Sequence, residues 1–294
     1  MGYIDSESLV KKASFLRLQA RSIADSMKTG NFRSLYRGQG IEFSGVRDYI
    51  RGDDIRSIDW NVTARMGRPY VKIFEEEREL QVFIVMDTSA SMFLDCANHQ
   101  PLKYSCGANL AALITLASEM NSCPVGAVFF DGNLHFSCKP KTGREQTMLL
   151  LTHLDKLPEN KTNGSVLANA LIGAGKILRK KALVFVISDF RSAGWETPLI
   201  QLAYKNDVIA FRITDEFDRV LPSLGTVVFN DVESNLKMTL PTSSSKLKEE
   251  WKNRNEAMQW RWQETCIKHG INPVPVNVKD DPLQILAELF EAKK

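Results

Sequence analysis

The chain has 294 residues, enough to bury a sizeable core in one large domain or two smaller ones. Hydrophobic residues make up 44% and charged residues 25%, the balance of an ordinary globular protein. The 38 basic and 35 acidic residues leave a formal charge of +3, too weak to point to nucleic acid or to an anionic membrane surface.

No apolar run reaches the roughly 18 residues of a membrane span. The N-terminus, MGYIDSESLVKK, lacks the apolar stretch of a secretory signal. Five cysteines are irregularly spaced without a CxxC pair, and the four histidines are scattered. A zinc site is therefore not expected, and the thiols read as reduced, in a cytoplasmic protein with no direct membrane insertion.

Residues 6–28 place Leu9, Ala13, Leu16, Ile23 and Met27 at helical spacing, and Lys28, Gly30 and Asn31 supply stop signals. Residues 31–78 carry many glycines and charges and no long regular period, so short extended pieces separated by turns are expected. Aromatics such as Phe43, Tyr49, Trp60 and Tyr70 argue against disorder there.

From residue 79 apolar strands alternate with amphipathic helices. LQVFIVMD, PVGAVFFDG, ALVFVISDF and DVIAFRITD read as strands, and NLHFSCKP as a hairpin partner of the second. KYSCGANLAALITLASEMN, REQTMLLLTHLDKL, SVLANALIGAGKILRKK and ETPLIQLAYKN read as helices. GTVVFND and NLKMTLPT suggest a hairpin, and TSSS a cap for a long helix over 246–269. On that helix Leu247, Trp251, Met258, Trp262 and Cys266 form a stripe expected to face the core. INPVPVNV and DPLQILAELFEA close the chain as a strand and a helix. The expected fold is α/β, a mostly parallel sheet with helices on both faces. Residues 1–78 are expected to form an N-terminal helix and extended segment, and 79–294 the sheet domain.

In open α/β sheets, ligands bind outside the carboxyl ends of the strands. Asp87, Ser89 and Ser91 follow the first strand of that domain, Asp189 follows ALVFVIS, and Ser165 lies where a Gly-containing loop enters a helix. Two carboxylates and three hydroxyls, with no imidazole or thiolate, suit a hard divalent cation, Mg²⁺ or Mn²⁺. The D-x-S-x-S alternation lets three side chains of an extended turn converge on one ion. Neutral serine ligands leave that ion net charge with which to recruit a further carboxylate. Other readings of this loop stay open: a helix cap, or a hydrolase whose cation activates water. A serine nucleophile lacks a placed base, and an aspartyl phosphoryl acceptor lacks a second acid at Ser89. GAGK, Gly173 to Lys176, misses the phosphate-loop pattern and reads as close helix packing.

The set D-x-S-x-S, then a hydroxyl residue, then Asp after a later strand resembles the metal-ion-dependent adhesion site (MIDAS) of von Willebrand factor A domains. The stretch RGQGIEFSGVRDYIRGDDIRSIDWNVTARMGRPYVKIFEEERE followed by DTSASM resembles the bacterial domain-of-unknown-function 58 family, and ISDF and RITDEFDRVLP agree with it. The resemblance implies a von Willebrand factor A-like doubly wound sheet and a metal site of Asp87, Ser89, Ser91, Ser165 and Asp189. Ser165 stands where the adhesion site usually has Thr, and Val166 where the family often has Asp.

Many relatives carry two N-terminal membrane helices, so the chain resembles a shorter, soluble, non-enzymatic member. The resemblance also implies a MoxR-type AAA+ ATPase as partner and a chaperone-like adaptor role in protein maturation, complex assembly or stress response. The client is unspecified, and a metal-free scaffold is the bland alternative. Arg37, Glu42, Asp53, Asp54, Arg56, Asp59 and Trp60 in the charged segment are candidate partner contacts. The competing expectation is a salt-bridged extension docked on the sheet, with Trp60 and Phe43 as apolar anchors.

Overall fold

The computed structural model describes residues 40–77, 80–93, 102–156, 166–230 and 237–290. The helix expected over 6–28 lies outside these residues, as do Arg37 and Ser165.

The first described unit is an antiparallel hairpin, β1 (Gly40–Asp48) against β2 (Tyr70–Glu77). Glu42 lies within β1, opposite Glu75. Between the strands sits a helix missing from the sequence expectation, α1 (Trp60–Met66). Seven residues are too few for a periodic signal, and this helix rests on its ends. Asp59 caps it by accepting from the Asn61 and Val62 amides, and Gly67 ends it at φ 67°, a left-handed conformation that glycine adopts without strain. Trp60 is 66% exposed, so it is not the buried anchor expected.

The core is a six-stranded sheet in the order β10-β7-β6-β3-β4-β5. Its strands are β3 (Gln81–Asp87), β4 (Val125–Phe130), β5 (Leu134–Lys141), β6 (Ala182–Ser188), β7 (Asp207–Thr214) and β10 (Asn272–Asn277). Only the β4–β5 hairpin is antiparallel; the other four pairings are parallel. The continuous apolar runs of β3, β4 and β6 follow from burial on both faces.

Period-two alternation sends β3 side chains to two separate cores. Val82, Ile84 and Met86 pack with α2 (Leu102–Met120), α3 (Arg144–Asp155) and α8 (Pro282–Phe290). Phe83 and Val85 pack with α4 (Leu167–Ile177), α5 (Glu196–Ala203) and α7 (Ser245–Lys268). This is the doubly wound, von Willebrand factor A-like sheet that the sequence resemblance implies. Ser244 caps α7 within the expected TSSS cluster, and Trp262 and Cys266 of the expected stripe are fully buried.

The hairpin of β8 (Thr226–Asn230) and β9 (Lys237–Pro241) forms where expected. A short turn, α6 (Glu216–Arg219), follows β7 and is closed by an Asp215–Asp218 capping box. Gly173 and Gly175 lie inside α4, as expected, but a Cβ would meet nothing nearer than 3.6 Å at the first and 3.8 Å at the second. Close packing therefore does not explain GAGK. Gly126 of β4 is the opposite case: a Cβ there would fall 2.6 Å from the Pro140 backbone nitrogen.

Candidate metal centre

The strand order turns at β3: the chain continues to β4 on one side, while β6 lies on the other. That is the switch point at which doubly wound sheets open a crevice beyond their carboxyl ends. Asp87 ends β3, and Asp189 follows the last residue of β6, so both carboxylates arrive there. Both are buried, at 1% and 3% exposure, which is unusual for carboxylates.

The loop after Asp87 folds back on its own carboxylate. Oδ1 of Asp87 accepts the Ser89 amide at 2.8 Å. The turn brings the Ser89 and Ser91 hydroxyls to 3.1 Å from one another, both buried. Thr88, between Asp87 and Ser89, donates to the Phe130 carbonyl at 2.9 Å and lies 2.7 Å from His135 Nε2, which pins the loop to β4 and β5. On the β6 side the Ser188 hydroxyl donates to Asp87 Oδ2 at 2.5 Å and itself accepts the Phe190 amide at 3.0 Å.

Asp189 accepts the Arg191 amide on Oδ1 at 3.1 Å, whereas its Oδ2 is buried without a hydrogen-bond partner among the described residues. The start of α4 is tied to the same edge, with the Val166 amide donating to the Asp131 carbonyl at 2.9 Å.

Burial, with the Asp189 charge beside it, pushes Asp87 up to about 7. Two desolvated carboxylates at neighbouring strand ends, one with a buried oxygen that accepts no hydrogen bond, and two adjacent hydroxyls are the donor chemistry of a hard cation. The residues present fit such an ion. Asp87, Ser89, Ser91 and Asp189 are brought to one edge, and Ser165 lies outside the described residues. No group of three or more His, Cys, Asp or Glu side chains able to hold an ion occurs among the described residues. This set has two carboxylates and draws its remaining oxygens from serine.

The sequence reading missed a buried ion network beside the site. Lys103, in the first turn of α2 and 1% exposed, lies 2.7 Å from Asp218 Oδ2 and 3.7 Å from Asp215 Oδ2. Arg191 donates to Asp218 Oδ1, and its Nε lies 3.7 Å from Asp189 Oδ2. Burial pushes Asp215 up. Burial also works against the charged form of Asp218, but Arg191 and Lys103 outweigh it and hold that carboxyl below its ordinary range. A lysine beside PL at the start of an apolar helix was the one local signal, and it does not reveal its partners. Ser188 was legible only as a polar residue ending an apolar strand.

Three of the expected partner contacts, Asp53, Asp54 and Asp59, have local structural roles. Arg47 and Asp53 make a bidentate pair at 2.6 and 2.8 Å, and that hydrogen bonding holds Asp53 down at about 2. Asp54 accepts the Arg56 amide at 3.0 Å, and Asp59 caps α1.

The fold and this edge define an α/β protein of von Willebrand factor A-like architecture with an oxygen-donor crevice at its switch point. The chain belongs to the DUF58 family, a family described as of unknown function, whose model matches residues 45–261. The uncharacterized protein Rv1480 of Mycobacterium tuberculosis is 30% identical over 237 residues, which span 80% of this chain and 74% of that protein. The uncharacterized protein YeaD of Bacillus subtilis is 31% identical over 100 residues, 32% of this chain and 23% of its own length.

Among solved structures, an aerotolerance-related membrane protein from Bacteroides fragilis is 16% identical with a TM-score of 0.46, over 71% of this chain and 96% of that one. The SpRpn10 VWA domain is 11% identical with a TM-score of 0.35, over 71% and 94%. Likeness at this distance transfers no activity. No helix among the described residues is long and apolar enough to cross a membrane.

Proposed function

We propose that this chain is a metal-dependent, non-enzymatic protein-interaction module. Mg²⁺ or Mn²⁺ is held by Asp87, Ser89, Ser91 and Asp189, with Ser165, just ahead of α4 in the sequence, supplying a further hydroxyl. The observation that supports this most is the buried Oδ2 of Asp189, which accepts no hydrogen bond among the described residues, at the strand end beside that of Asp87. A buried carboxylate oxygen without a donor costs free energy that a cation offsets. With two neutral hydroxyl ligands the ion retains positive charge, and a carboxylate from another protein completes its shell.

The partner in this reading is a MoxR-type AAA+ ATPase, acting with the module on a client in the cytoplasm in protein maturation, assembly or stress response. The arm of residues 40–77 is the second contact. Ile50, Ile55, Trp60 and Met66 are each more than 60% exposed along it, and Asp53, Asp54 and Asp59 brace its turns. Exposed apolar groups on a braced arm suit recognition better than docking onto the chain's own sheet.

Affinity capture from native cells with and without Mg²⁺ tests the assignment. An AAA+ ATPase is expected in the Mg²⁺ eluate of wild type, and not with Asp87→Ala. Absence of any ATPase in either condition contradicts the adaptor role.

A further inference from the structure

The edge strand β5 departs from regular pairing at its crevice end. Phe129 of β4 lies opposite Phe136 and Phe130 opposite Leu134, so His135 is the extra residue of a bulge. In a regular strand Leu134 and Phe136, two residues apart, would share a face. Instead Leu134 lies against α4, where a Cβ on Gly173 would meet its Cδ1 at 3.6 Å, and Phe136 packs on the core of the opposite face. Phe130 also lies opposite Asp87 on β3, so the bulge sits one strand away from the D-x-S-x-S loop. Bulges beside binding sites re-aim a side chain, and this one brings His135 Nε2 to 2.7 Å from Thr88 Oγ1.

The direction of that bond follows from the other partners of Thr88. The Phe130 carbonyl accepts the Thr88 amide at 2.7 Å and the Thr88 hydroxyl at 2.9 Å. A hydroxyl has one proton and a carbonyl only accepts, so the Thr88 oxygen is left to His135 as an acceptor. The imidazole therefore donates from Nε2. This is the wrong direction for a base that activates a hydroxyl nucleophile, and Thr88 is 2% exposed. With its amide and both roles of its hydroxyl taken, Thr88 cannot turn without breaking a bond. Its chain neighbours Asp87 and Ser89 are held in place with it.

We propose that His135 is a positioning residue of the crevice: the bulge carries its Nε2–H to Thr88, and that bond holds the loop from Asp87 to Ser91 in the shape that binds an ion. The inference rests on the metal reading above and adds to it a residue that belongs neither to the loop nor to the ligand set. His135 lies exposed on the edge strand and in neither core, so its replacement removes the bond without opening a cavity. Groups that orient metal ligands by hydrogen bonding change affinity by about ten- to hundredfold.

Two measurements test it. The first needs no metal: nitrogen-detected NMR of the wild-type histidine rings is expected to show a proton on His135 Nε2. The second is calorimetric titration of Mn²⁺ into wild type, His135→Leu, His135→Gln, Thr88→Val and the Thr88→Val/His135→Leu double variant, after melting curves have established that each is folded. His135→Leu is expected to bind Mn²⁺ roughly tenfold more weakly than wild type. His135→Gln keeps an N–H donor at the same reach and is expected to stay within about threefold. In the Thr88→Val background, where the acceptor is gone, His135→Leu is expected to cost less than about twofold.

A His135 Nε2 without a proton overturns the inference whatever the metal does. So does a His135→Leu within about twofold of wild type, a His135→Gln as weak as His135→Leu, or a full His135→Leu loss in the Thr88→Val background; each of these leaves the metal site standing. If His135→Leu does not fold, the wild-type ring proton and His135→Gln decide, and a Gln variant more than about threefold weaker overturns the inference. A wild type that takes up no Mn²⁺ removes the metal reading and this inference together.

Discussion

Ser188 and Asp87, the last residues of neighbouring parallel strands, share a 2.5 Å hydrogen bond in which the serine hydroxyl donates to Oδ2. Because Asp87 Oδ1 is taken by the Ser89 amide, both oxygens of the carboxylate are oriented before any ligand arrives. Groups that orient a metal-binding carboxylate affect affinity nearly as much as the ligands do. Ser188→Ala is expected to lower Mg²⁺ affinity roughly tenfold and, by leaving the Asp87 carboxylate and the Phe190 amide each one partner short, to cost about 1–3 kcal/mol of stability. Paired calorimetry and thermal unfolding separate the two effects. A variant with unchanged affinity would show that Ser188 only fills space.

A pH effect follows from the same carboxylate. Burial and the neighbouring Asp189 raise Asp87 to about 7 in the fold, against about 4 in an unfolded chain. Between these values the native state binds more protons than the unfolded one, so metal-free stability falls as pH rises through the window. Asp215, also raised by burial, adds to the same trend; Asp218, lowered by its cationic partners, acts only below about pH 4 and leaves this window unchanged. The difference between wild type and Asp87→Asn isolates the Asp87 share. The melting temperature of the metal-free wild type should drop from pH 5 to pH 7.5 more than that of Asp87→Asn, and millimolar Mg²⁺ should remove much of the difference. Identical slopes for the two proteins would assign the proton to another group.

The buried lysine gives a prediction independent of any ion. Lys103 is almost fully enclosed and faces two carboxylates. Removing one member of such a cluster leaves uncompensated buried charge, and Lys103→Met is expected to cost about 3–5 kcal/mol. Urea unfolding measures this, and a change below about 1 kcal/mol would mean that water reaches the cluster and screens it.

Backbone proximity sets a further limit at Gly126. A methyl group there would collide with the Pro140 nitrogen on the paired strand, and that atom belongs to the backbone and cannot rotate away. Gly126→Ala should destabilise by about 1–3 kcal/mol, and a melting temperature unchanged from wild type would indicate that the β4–β5 hairpin shifts freely.

Much of the sheet could be read from the chain because β3, β4 and β6 are buried on both faces and so appear as unbroken apolar runs. Asp87 and Asp189 were legible for a related reason: polar residues that end such runs fall at the edge where ligands bind. What periodicity could not carry was hidden. The α1 helix is seven residues long and is announced only by Asp59 and Gly67. Composition ranks Trp60 as a buried anchor, yet it stands exposed on the arm. The Lys103–Asp218–Arg191 network joins segments far apart in the chain, and no local pattern states which charges meet. Ser188 hydrogen-bonds across the strand pairing, a relation that exists only once the register of β3 and β6 is set.

The central claim is that Asp87 and Asp189 hold a divalent cation, and calorimetric titration of Mg²⁺ into wild type and Asp87→Ala tests it most directly. Wild type should show saturable heat at one site per chain, and the variant, still folded, should show none. Equal heats from the two proteins, or none from either, would contradict the claim.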